Sequence, residues 1–241
     1  MRRVVIGDAT LYHGDCLDVL DALRRSRTLK ADIVVTSPPY NHLQHGAGGG
    51  KFEGSKAVAK WHNGYADKMP EAEYQQWLVN RLQRARSVTQ GVVWVNHKVR
   101  HRQGQAIHPL HFLRGPAFPL YCEVIWNRGG SMALNSKRFA TSHEGIWGFG
   151  KPHYWNDQMN GRMSVWNVNY EIDPGHPCVT PAKIIEPLIV ASCPHRGIVL
   201  DPFCGTARVG RVALRTGRRF IWIEKDKKTF DNAVDSLRAL L

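Results

Sequence analysis

The sequence predicts an α/β fold: a doubly wound, largely parallel sheet with helices on both faces. Three short apolar runs, at 32–35, 92–95 and 197–200, are typical of strands that are buried on both sides in a parallel sheet. Stretches with helical periodicity separate these runs, and such alternation indicates parallel strands joined by helices. At 241 residues the chain fits one large domain over 1–241 better than two small ones.

The first half of the chain predicts a hairpin, two helices and two strands. Gly7-Asp8 supplies the hairpin turn. Both helices are indicated by apolar residues spaced three and four positions apart. In chain order the predicted elements are a hairpin over 4–12, a helix over 17–25, a strand over 32–37, a helix after Pro70 and a strand over 92–95.

The second half predicts four strands and three helices. Pro181 is placed to open a helix, because proline is favoured in the first helical turn. In chain order the predicted elements are strands over 120–126 and 144–149, a helix from Pro181, a strand over 198–200, a helix over 206–216, a strand over 219–223 and a last helix with an apolar stripe over 230–240.

Three segments interrupt this pattern. Residues 41–68 contain six glycines among lysines and histidines, which predicts a long loop. Residues 100–118 begin with a basic run and are punctuated by prolines, and residues 151–175 have no clear period. Neither an internal repeat nor a domain boundary is evident.

The charge balance favours a polyanionic partner. Lysine and arginine number 33 against 20 acidic residues, which gives a formal net charge of +13. Basic side chains release counterions from nucleic-acid phosphates. Charge alone does not distinguish DNA, RNA, an anionic membrane or a generally basic soluble protein.

Cysteine and histidine usage argues against disulfides and metal. The five cysteines are scattered, without a Cys-x-x-Cys pair, which predicts reduced thiols in the cytoplasm. His97 and His101 have a helical ligand spacing but follow a strand, so no metal site is expected. Neither a signal peptide nor a membrane-spanning run is present, which predicts an intracellular protein that does not enter a membrane.

An acidic, glycine-containing turn follows the strand at 198–200. Asp201-Pro202-Phe203-Cys204-Gly205 precedes a helix, and such a turn lets a ligand approach backbone amides. Glu224 ends the next strand, 19 residues beyond Gly205. An acidic residue about 20 residues after such a turn is the usual hydrogen-bond acceptor for a ribose diol. The alternatives are a helix cap for Asp201 and a solvated strand end for Glu224.

A diproline turn follows the strand at 32–37. In Thr36-Ser37-Pro38-Pro39-Tyr40 the prolines fix φ and remove two amide donors, so that carbonyl oxygens remain as acceptors. The alternative is a structural turn with a packed tyrosine. Both turns end buried strands, where open α/β sheets bind their ligands.

The two motifs, in this order, resemble the beta class of DNA amino-methyltransferases, which carry a circularly permuted motif order. That family writes the second motif Asp-Pro-Phe-x-Gly-Ser-Gly-Thr, and the match runs from Asp201 to Gly205. Ala207 and Arg208 depart from it, which leaves the backbone approach beyond Thr206 open. His176-Pro177-Cys178-Val179-Thr180-Pro181 resembles the segment that cups the methionine tail, although Thr180 replaces the usual residue.

The resemblance implies methyl transfer from S-adenosylmethionine to an exocyclic amine. Hydrogens of the amine would be accepted at Ser37 and at the Pro38 carbonyl, and Tyr40 would stack on a flipped base. The implied catalytic residues are Ser37, Pro38, Pro39 and Tyr40, and the implied cofactor residues are Asp15, Thr36, Thr180, Asp201, Pro202, Phe203, Cys204, Gly205 and Glu224. Serine at position 37 favours cytosine N4, and adenine N6 is the alternative.

The expected partner is double-stranded DNA, together with a cognate restriction endonuclease in a restriction-modification system. Segments 41–68, 100–118 and 151–175 are predicted DNA-contacting insertions. The candidate phosphate ligands are Lys51, Lys56, Lys60, Arg100, Arg102 and Arg128.

The oligomeric state is left open between monomer and homodimer. An RNA or protein methyltransferase and a non-catalytic nucleic-acid-binding relative remain the competing functions; in RNA and protein enzymes with Pro-Pro-Tyr, that motif follows the cofactor turn.

Overall fold

The structure is a computed structural model that describes residues 1–26, 30–41, 69–130, 137–169, 171–173 and 176–239, without the side chains of 172–178. Strands and helices alternate over most of this length. The strands are β1 Arg2–Ile6, β2 Ala9–His13, β3 Ile33–Thr36, β4 Val93–His97, β5 Arg100–Arg102, β6 Gln105–Ile107, β7 Leu120–Asn127, β8 His143–Phe149, β9 Val165–Asn167, β10 Glu171–Asp173, β11 His176–Val179, β12 Ile198–Asp201 and β13 Arg219–Glu224. The helices are α1 Cys16–Ser26, α2 Glu71–Ser87, α3 Leu110–Leu113, α4 Ala182–Ser192, α5 Arg208–Arg215 and α6 Lys227–Arg238, with a 3₁₀ turn at Asp157–Met159.

One nine-stranded sheet organises the described residues, in the order β1-β2-β13-β12-β3-β4-β8-β7-β9. The five central strands, from β2 to β4, run parallel to one another. β1 and β8 pair antiparallel with the two ends of this parallel block. The predicted doubly wound, largely parallel sheet is therefore confirmed.

Both faces of the sheet are buried because strand residues alternate between two apolar layers. In β13, Phe220 and Trp222 pack on the side of α4, α5 and α6, while Ile221 and Ile223 pack on the side of α1, α2 and α3. The continuous apolar runs of the central strands arise from this two-sided burial.

The order of the strands reverses beside β3. From β3 the chain passes through α2 to β4 on one side, while β12 pairs with the other side of β3 and leads on to β13. Loops at the carboxyl ends of β3 and β12 therefore diverge and leave a crevice at the edge of the sheet. Ser37 and Pro202 are the first residues of these two loops.

Several predicted segments differ in detail. The helix expected over 206–216 begins at Arg208, because Ala207 has a left-handed backbone conformation. Segment 100–118 contains the β5–β6 hairpin and α3, and segment 151–175 contains the 3₁₀ turn, β9 and β10. Residues 42–68, almost all of the predicted glycine-rich loop, lie outside the described residues.

Candidate active site

The two predicted motif loops are joined by a buried hydrogen bond. Thr36 Oγ1 at the end of β3 donates to Asp201 Oδ1 at the end of β12 over 2.6 Å. The Phe203 amide donates to the same oxygen over 3.0 Å. Burial raises the pKa of Asp201 to about 7, against the effect of these two donors, and nearby Glu224 adds to the increase.

The glycine turn is tied to the next strand. Glu224 is buried, and its carboxylate accepts from the Gly205 amide over 3.0 Å and from the Asp226 amide over 2.8 Å. Burial raises the pKa of Glu224 although these amides favour the charged form. Gly205 has φ of 51°, and a Cβ at this position would meet no atom within 4 Å. The space beside the Gly205 backbone is therefore open to a ligand.

Ala207 keeps a glycine-like backbone where the chain departs from the resembled motif. Its φ is 65° and its side chain is buried at the start of α5. Left-handed conformations cost a non-glycine residue roughly 1–2 kcal/mol. Arg208, the second departure, forms an ion pair with Glu171 in β10. The shape of the turn is thus retained without the second glycine.

Asp15 lies at the same edge of the sheet as Glu224. The Gly14 amide donates to the Glu224 carbonyl over 2.9 Å. Asp15 accepts from the Leu17 amide over 3.0 Å and pairs with Arg81 at 3.2 Å. Burial alone would raise the pKa of Asp15, but the Leu17 amide and the Arg81 guanidinium hold it below its ordinary value.

An aromatic wall adjoins this acidic corner. The Arg81 guanidinium lies 4.3 Å from the centroid of the Trp77 ring, and Trp77 lies 5.5 Å from the ring of Phe203. Sequence analysis included Phe203 but missed Trp77 and Arg81. Neither residue belongs to a recognisable sequence motif, since both occur in α2, whose apolar spacing indicated only a packed helix face.

Tyr40 is engaged through both its hydroxyl and its ring. Tyr40 Oη lies 2.9 Å from Ser37 Oγ and donates to Glu144 Oε2 over 3.2 Å. Its ring stacks on His97 with centroids 4.5 Å apart and planes at 27°. Burial raises the pKa of Tyr40 well above its ordinary value, and Glu144 adds to this increase.

A buried hydrogen-bond chain, hereafter the relay, connects His97 through Tyr74 to the Pro39 carbonyl of the diproline turn. Tyr74 Oη donates to the Pro39 carbonyl over 2.6 Å and lies 2.8 Å from His97 Nε2. Because a carbonyl only accepts, the single Tyr74 hydrogen goes to Pro39, and Nε2 of His97 must be the donor to Tyr74. In this tautomer His97 Nδ1 accepts from the Lys98 amide over 2.8 Å, and it also lies 2.9 Å from the Lys98 carbonyl oxygen. Burial and the charge of Arg100 lower the pKa of His97 to about 3.

Two polar residues that were not predicted, Glu144 and Asn96, connect Tyr40 of the diproline turn to Thr180. Glu144 in β8 accepts from Asn96 Nδ2 over 3.1 Å and pairs with Arg128 at 3.2 Å. Asn96 in β4 in turn accepts from Thr180 Oγ1 over 3.1 Å. The available signal was a charged residue at the start of an apolar run, 144–149, and an asparagine at the end of another.

A small crevice lies where these groups meet; its cavity volume is about 20 Å³, and about 280 Å³ when its part open to solvent is counted. Its polar lining comes from Thr36, Ser37, Asn96 and Thr180, and its apolar lining from β3, β4, β8, α4 and α5. The predicted amine-accepting residue Ser37 and the predicted cofactor residues Thr36 and Thr180 therefore share one cavity. The lining is mostly apolar, and its few polar groups converge on the same space.

The three arginines predicted to contact phosphates have carboxylate partners. Arg100 is buried and makes a bidentate pair with Glu71, with both N–O distances at 2.7 Å. Arg102 pairs with Glu71 at 3.0 Å, and Arg128 pairs with Glu144. The prediction of Arg100 as a phosphate ligand is wrong for this structure, since its side chain is only 4% exposed. Lys51, Lys56 and Lys60 lie outside the described residues.

Other features of the described residues concern thiols, metals and membranes. Cys16, Cys122, Cys193 and Cys204 carry free thiols. In the described ranges there is no group of three His, Cys, Asp or Glu side chains that could hold a metal ion. A search of the same ranges finds no helix with the length and apolar character needed to cross a bilayer.

Comparison with known proteins gives one family. A family model for N6 and N4 enzymes, described as DNA methylase, matches residues 31–235. The Type II methyltransferase M.ScaI of Streptomyces caespitosus is 27% identical, covering 96% of this chain and 82% of the relative. M.Cfr9I of Citrobacter freundii is 26% identical, covering 97% of this chain and 89% of the relative.

Solved structures share the fold. The crystal structure of M1.HpyAVI superposes with a TM-score of 0.66 at 20% identity, covering 95% of this chain and 98% of that one. The cytosine-N4-specific PvuII DNA methyltransferase gives a TM-score of 0.70 at 17% identity, covering 94% of this chain and 85% of that one. The arrangement of sheet and helices is therefore that of the Rossmann-like methyltransferases.

Proposed function

The chain belongs to the DNA methylase family of N6 and N4 amino-methyltransferases, and on that premise we propose that it methylates a flipped base of double-stranded DNA at a specific site. The methyl donor is S-adenosylmethionine, and the acceptor is the exocyclic amino nitrogen, with cytosine N4 favoured. The observation that carries the proposal is the 2.6 Å hydrogen bond from Thr36 to Asp201. Through it the strand ends that carry the diproline turn and the acidic turn lie side by side.

The residues around the glycine turn suit the cofactor. Glu224 would accept from the ribose hydroxyls, and Asp15, at the same sheet edge, would lie near the adenine. The open space at Gly205 would admit the cofactor against the backbone. Asp201, Pro202, Phe203, Cys204, Thr36 and Thr180 complete the proposed cofactor site.

The diproline turn would hold the target amine. When bound, the cofactor supplies a methyl group activated by a sulfonium. An exocyclic amine conjugated to its ring is a poor nucleophile, and acceptors at Ser37 Oγ and the Pro38 carbonyl would draw its nitrogen towards a tetrahedral geometry. Placing the nitrogen lone pair in line with the methyl group accounts for much of the expected rate enhancement. Pro39, whose carbonyl Tyr74 occupies, would position rather than contact the amine.

The choice of base depends on Ser37. Serine keeps an acceptor in the pocket without a formal charge, which favours cytosine N4, and adenine N6 is the second candidate. The structural neighbour described as cytosine-N4-specific is 17% identical and therefore supports the fold and not the base.

The cellular setting follows from the relatives. M.ScaI, M.Cfr9I and M.BglII are named Type II methyltransferases, so we propose a cytoplasmic restriction-modification enzyme with a cognate endonuclease. It would act as a monomer or homodimer, with 1–241 as one domain. DNA contacts are proposed for segments 41–68, 100–118 and 151–175, with Lys51, Lys56, Lys60, Arg102 and Arg128 as candidate phosphate ligands.

Labelled methyl transfer tests the proposal. Purified protein is incubated with tritiated S-adenosylmethionine and duplex DNA, RNA or protein, and DNA digests are analysed by mass spectrometry. We expect N4-methylcytosine in the DNA digest and no product with Ser37→Ala. N6-methyladenine would establish the second candidate. Cofactor binding by calorimetry without transfer to any substrate would support a non-catalytic relative and refute the proposal.

A further inference from the structure

We infer that Glu144 acts through Tyr40 to make Ser37 a hydrogen-bond acceptor and to receive the proton that the methylated amine releases. This inference rests on the proposed function. It adds a proton path to the two acceptors of the diproline turn. The path is formed by Ser37 Oγ, Tyr40 Oη and Glu144 Oε2, with successive separations of 2.9 and 3.2 Å.

The direction of the hydrogens follows from the carboxylate. A carboxylate oxygen only accepts, so the single hydroxyl hydrogen of Tyr40 goes to Glu144. Tyr40 Oη then accepts, and Ser37 must be the donor in the contact between the two hydroxyls. Ser37 lines the crevice, and with its hydrogen used, its remaining lone pairs are available to the target amine.

The surroundings of Glu144 keep this direction fixed. Arg128 pairs with Oε1 at 3.2 Å and supplies the opposite charge that a buried carboxylate requires. Asn96 Nδ2 donates to Oε2 over 3.1 Å and to the Gly145 carbonyl over 3.2 Å. Burial and Glu144 hold the pKa of Tyr40 far above its ordinary value, so Tyr40 passes a proton on rather than storing a charge.

The proposed step balances in atoms and electrons. The amine nitrogen uses its lone pair to form a bond to the methyl carbon, and the carbon–sulfur bond breaks with its electron pair remaining on sulfur. One proton then leaves nitrogen for Ser37 Oγ, while the Ser37 proton moves to Tyr40 and the Tyr40 proton to Glu144 Oε2. The N–H electron pair returns to nitrogen. The products are a neutral methylamino base, a thioether and a protonated Glu144, which returns the proton to water.

Tyr40→Phe and Glu144→Gln test the path. Tyr40→Phe keeps the ring on His97 and removes only the relaying hydroxyl. Tyr121→Phe and Glu186→Gln are matched controls, because Tyr121 is 44% exposed and Glu186 forms an exposed pair with Arg215. Each protein is assayed for single-turnover methyl transfer, KM for DNA, thermal unfolding and, without cofactor, the fluorescence of 2-aminopurine at the target position.

We expect the two test variants to lose about 10²-fold or more in single-turnover rate, the range of proton transfer by a positioned group. The KM for DNA and the 2-aminopurine signal of base extrusion should stay at wild-type values, as should every property of the controls. An active wild type whose Tyr40→Phe variant keeps its rate would overturn this inference alone. The inference would also be overturned if the variants lost rate only in proportion to a loss of base extrusion or of thermal stability. A wild type that methylates no DNA would overturn the proposed function and the proton path with it.

Discussion

The Asp201 carboxyl group is buried, so its ionisation costs free energy. Burial raises its pKa from 3.8 to about 7, while Thr36 and Phe203 stabilise it with hydrogen bonds. Between these two pKa values the folded protein holds a proton that the unfolded chain has released. The free energy of unfolding therefore falls as the pH rises from about 4 to about 7. A cation bound beside Asp201 would remove part of this cost.

Asp201→Asn should therefore raise stability at pH 8 while weakening cofactor binding. The amide can still accept from Thr36 and carries no charge to bury, so a gain on the order of 2–4 kcal/mol is expected at pH 8 and little at pH 4. Urea unfolding of both proteins at the two pH values measures the gain, and calorimetry measures cofactor affinity. Parallel pH dependence in the variant and the wild type would contradict the assignment of the raised pKa to Asp201.

His97 should remain a neutral imidazole at every pH that the enzyme uses. Its pKa is lowered to about 3 and its Nε2–H is committed to Tyr74. We expect ¹⁵N NMR to show the Nε2–H tautomer without titration between pH 5 and 8. A ring that titrates near 6.5 would contradict the relay to Pro39.

Tyr74→Phe removes the middle of the same relay. The His97 N–H and the Pro39 carbonyl both lose their partner in the core, and unsatisfied buried groups cost about 1–3 kcal/mol each. Chemical denaturation should show destabilisation of this size. Tyr121→Phe, with an exposed ring, is the control and should be neutral. A neutral Tyr74→Phe would mean that water replaces the hydroxyl.

At the scale of elements, the sequence predicted every long strand and helix that lines the crevice. The continuous apolar runs of the strands reflect burial on both faces of the sheet, and the apolar stripes of the helices reflect burial on one side. Both patterns can be read from residue type. The short elements β5, β6, β9 and α3 could not be predicted, because three or four residues carry no period. Glu144 was missed for another reason. Its contact with Tyr40 joins residues 104 positions apart in the sequence, and it depends on the pairing of β8 with β4.

The turn between β12 and α5 depends on two left-handed residues in close succession, Gly205 and Ala207. Gly205→Ala should cost about 1 kcal/mol of stability from backbone strain and should reduce cofactor affinity further by filling the open space. Gly161→Ala is the matched control, since Gly161 also has a positive φ and free space but lies in another loop. Melting and calorimetry separate the two effects. Equal cofactor affinity in both variants would exclude close approach at Gly205.

At the scale of the whole molecule, some of the basic side chains form ion pairs within the protein and others are exposed on its surface. Within the described residues, Arg81, Arg100, Arg102 and Arg128 each pair with a carboxylate. Composition alone predicted a polyanion partner correctly for the family, but it could not tell paired arginines from exposed ones. Pairing depends on carboxylates that are distant in sequence, such as Glu71 and Glu144.

DNA affinity should fall steeply with salt, and Arg138 is an informative residue for locating the footprint. Burial lowers the pKa of His101 in β5, and the nearby charge of Arg138, which is exposed, adds to this decrease. If Arg138 binds a phosphate, Arg138→Ala should weaken binding to all sequences alike and reduce the log–log salt slope by about 1. Arg219→Ala, at the opposite, amino end of β13, should leave the slope unchanged. Fluorescence anisotropy across a salt series measures both. If the wild-type slope corresponds to only one or two phosphate contacts, an extended duplex footprint is excluded. If the two variants have equal slopes, the DNA does not contact Arg138.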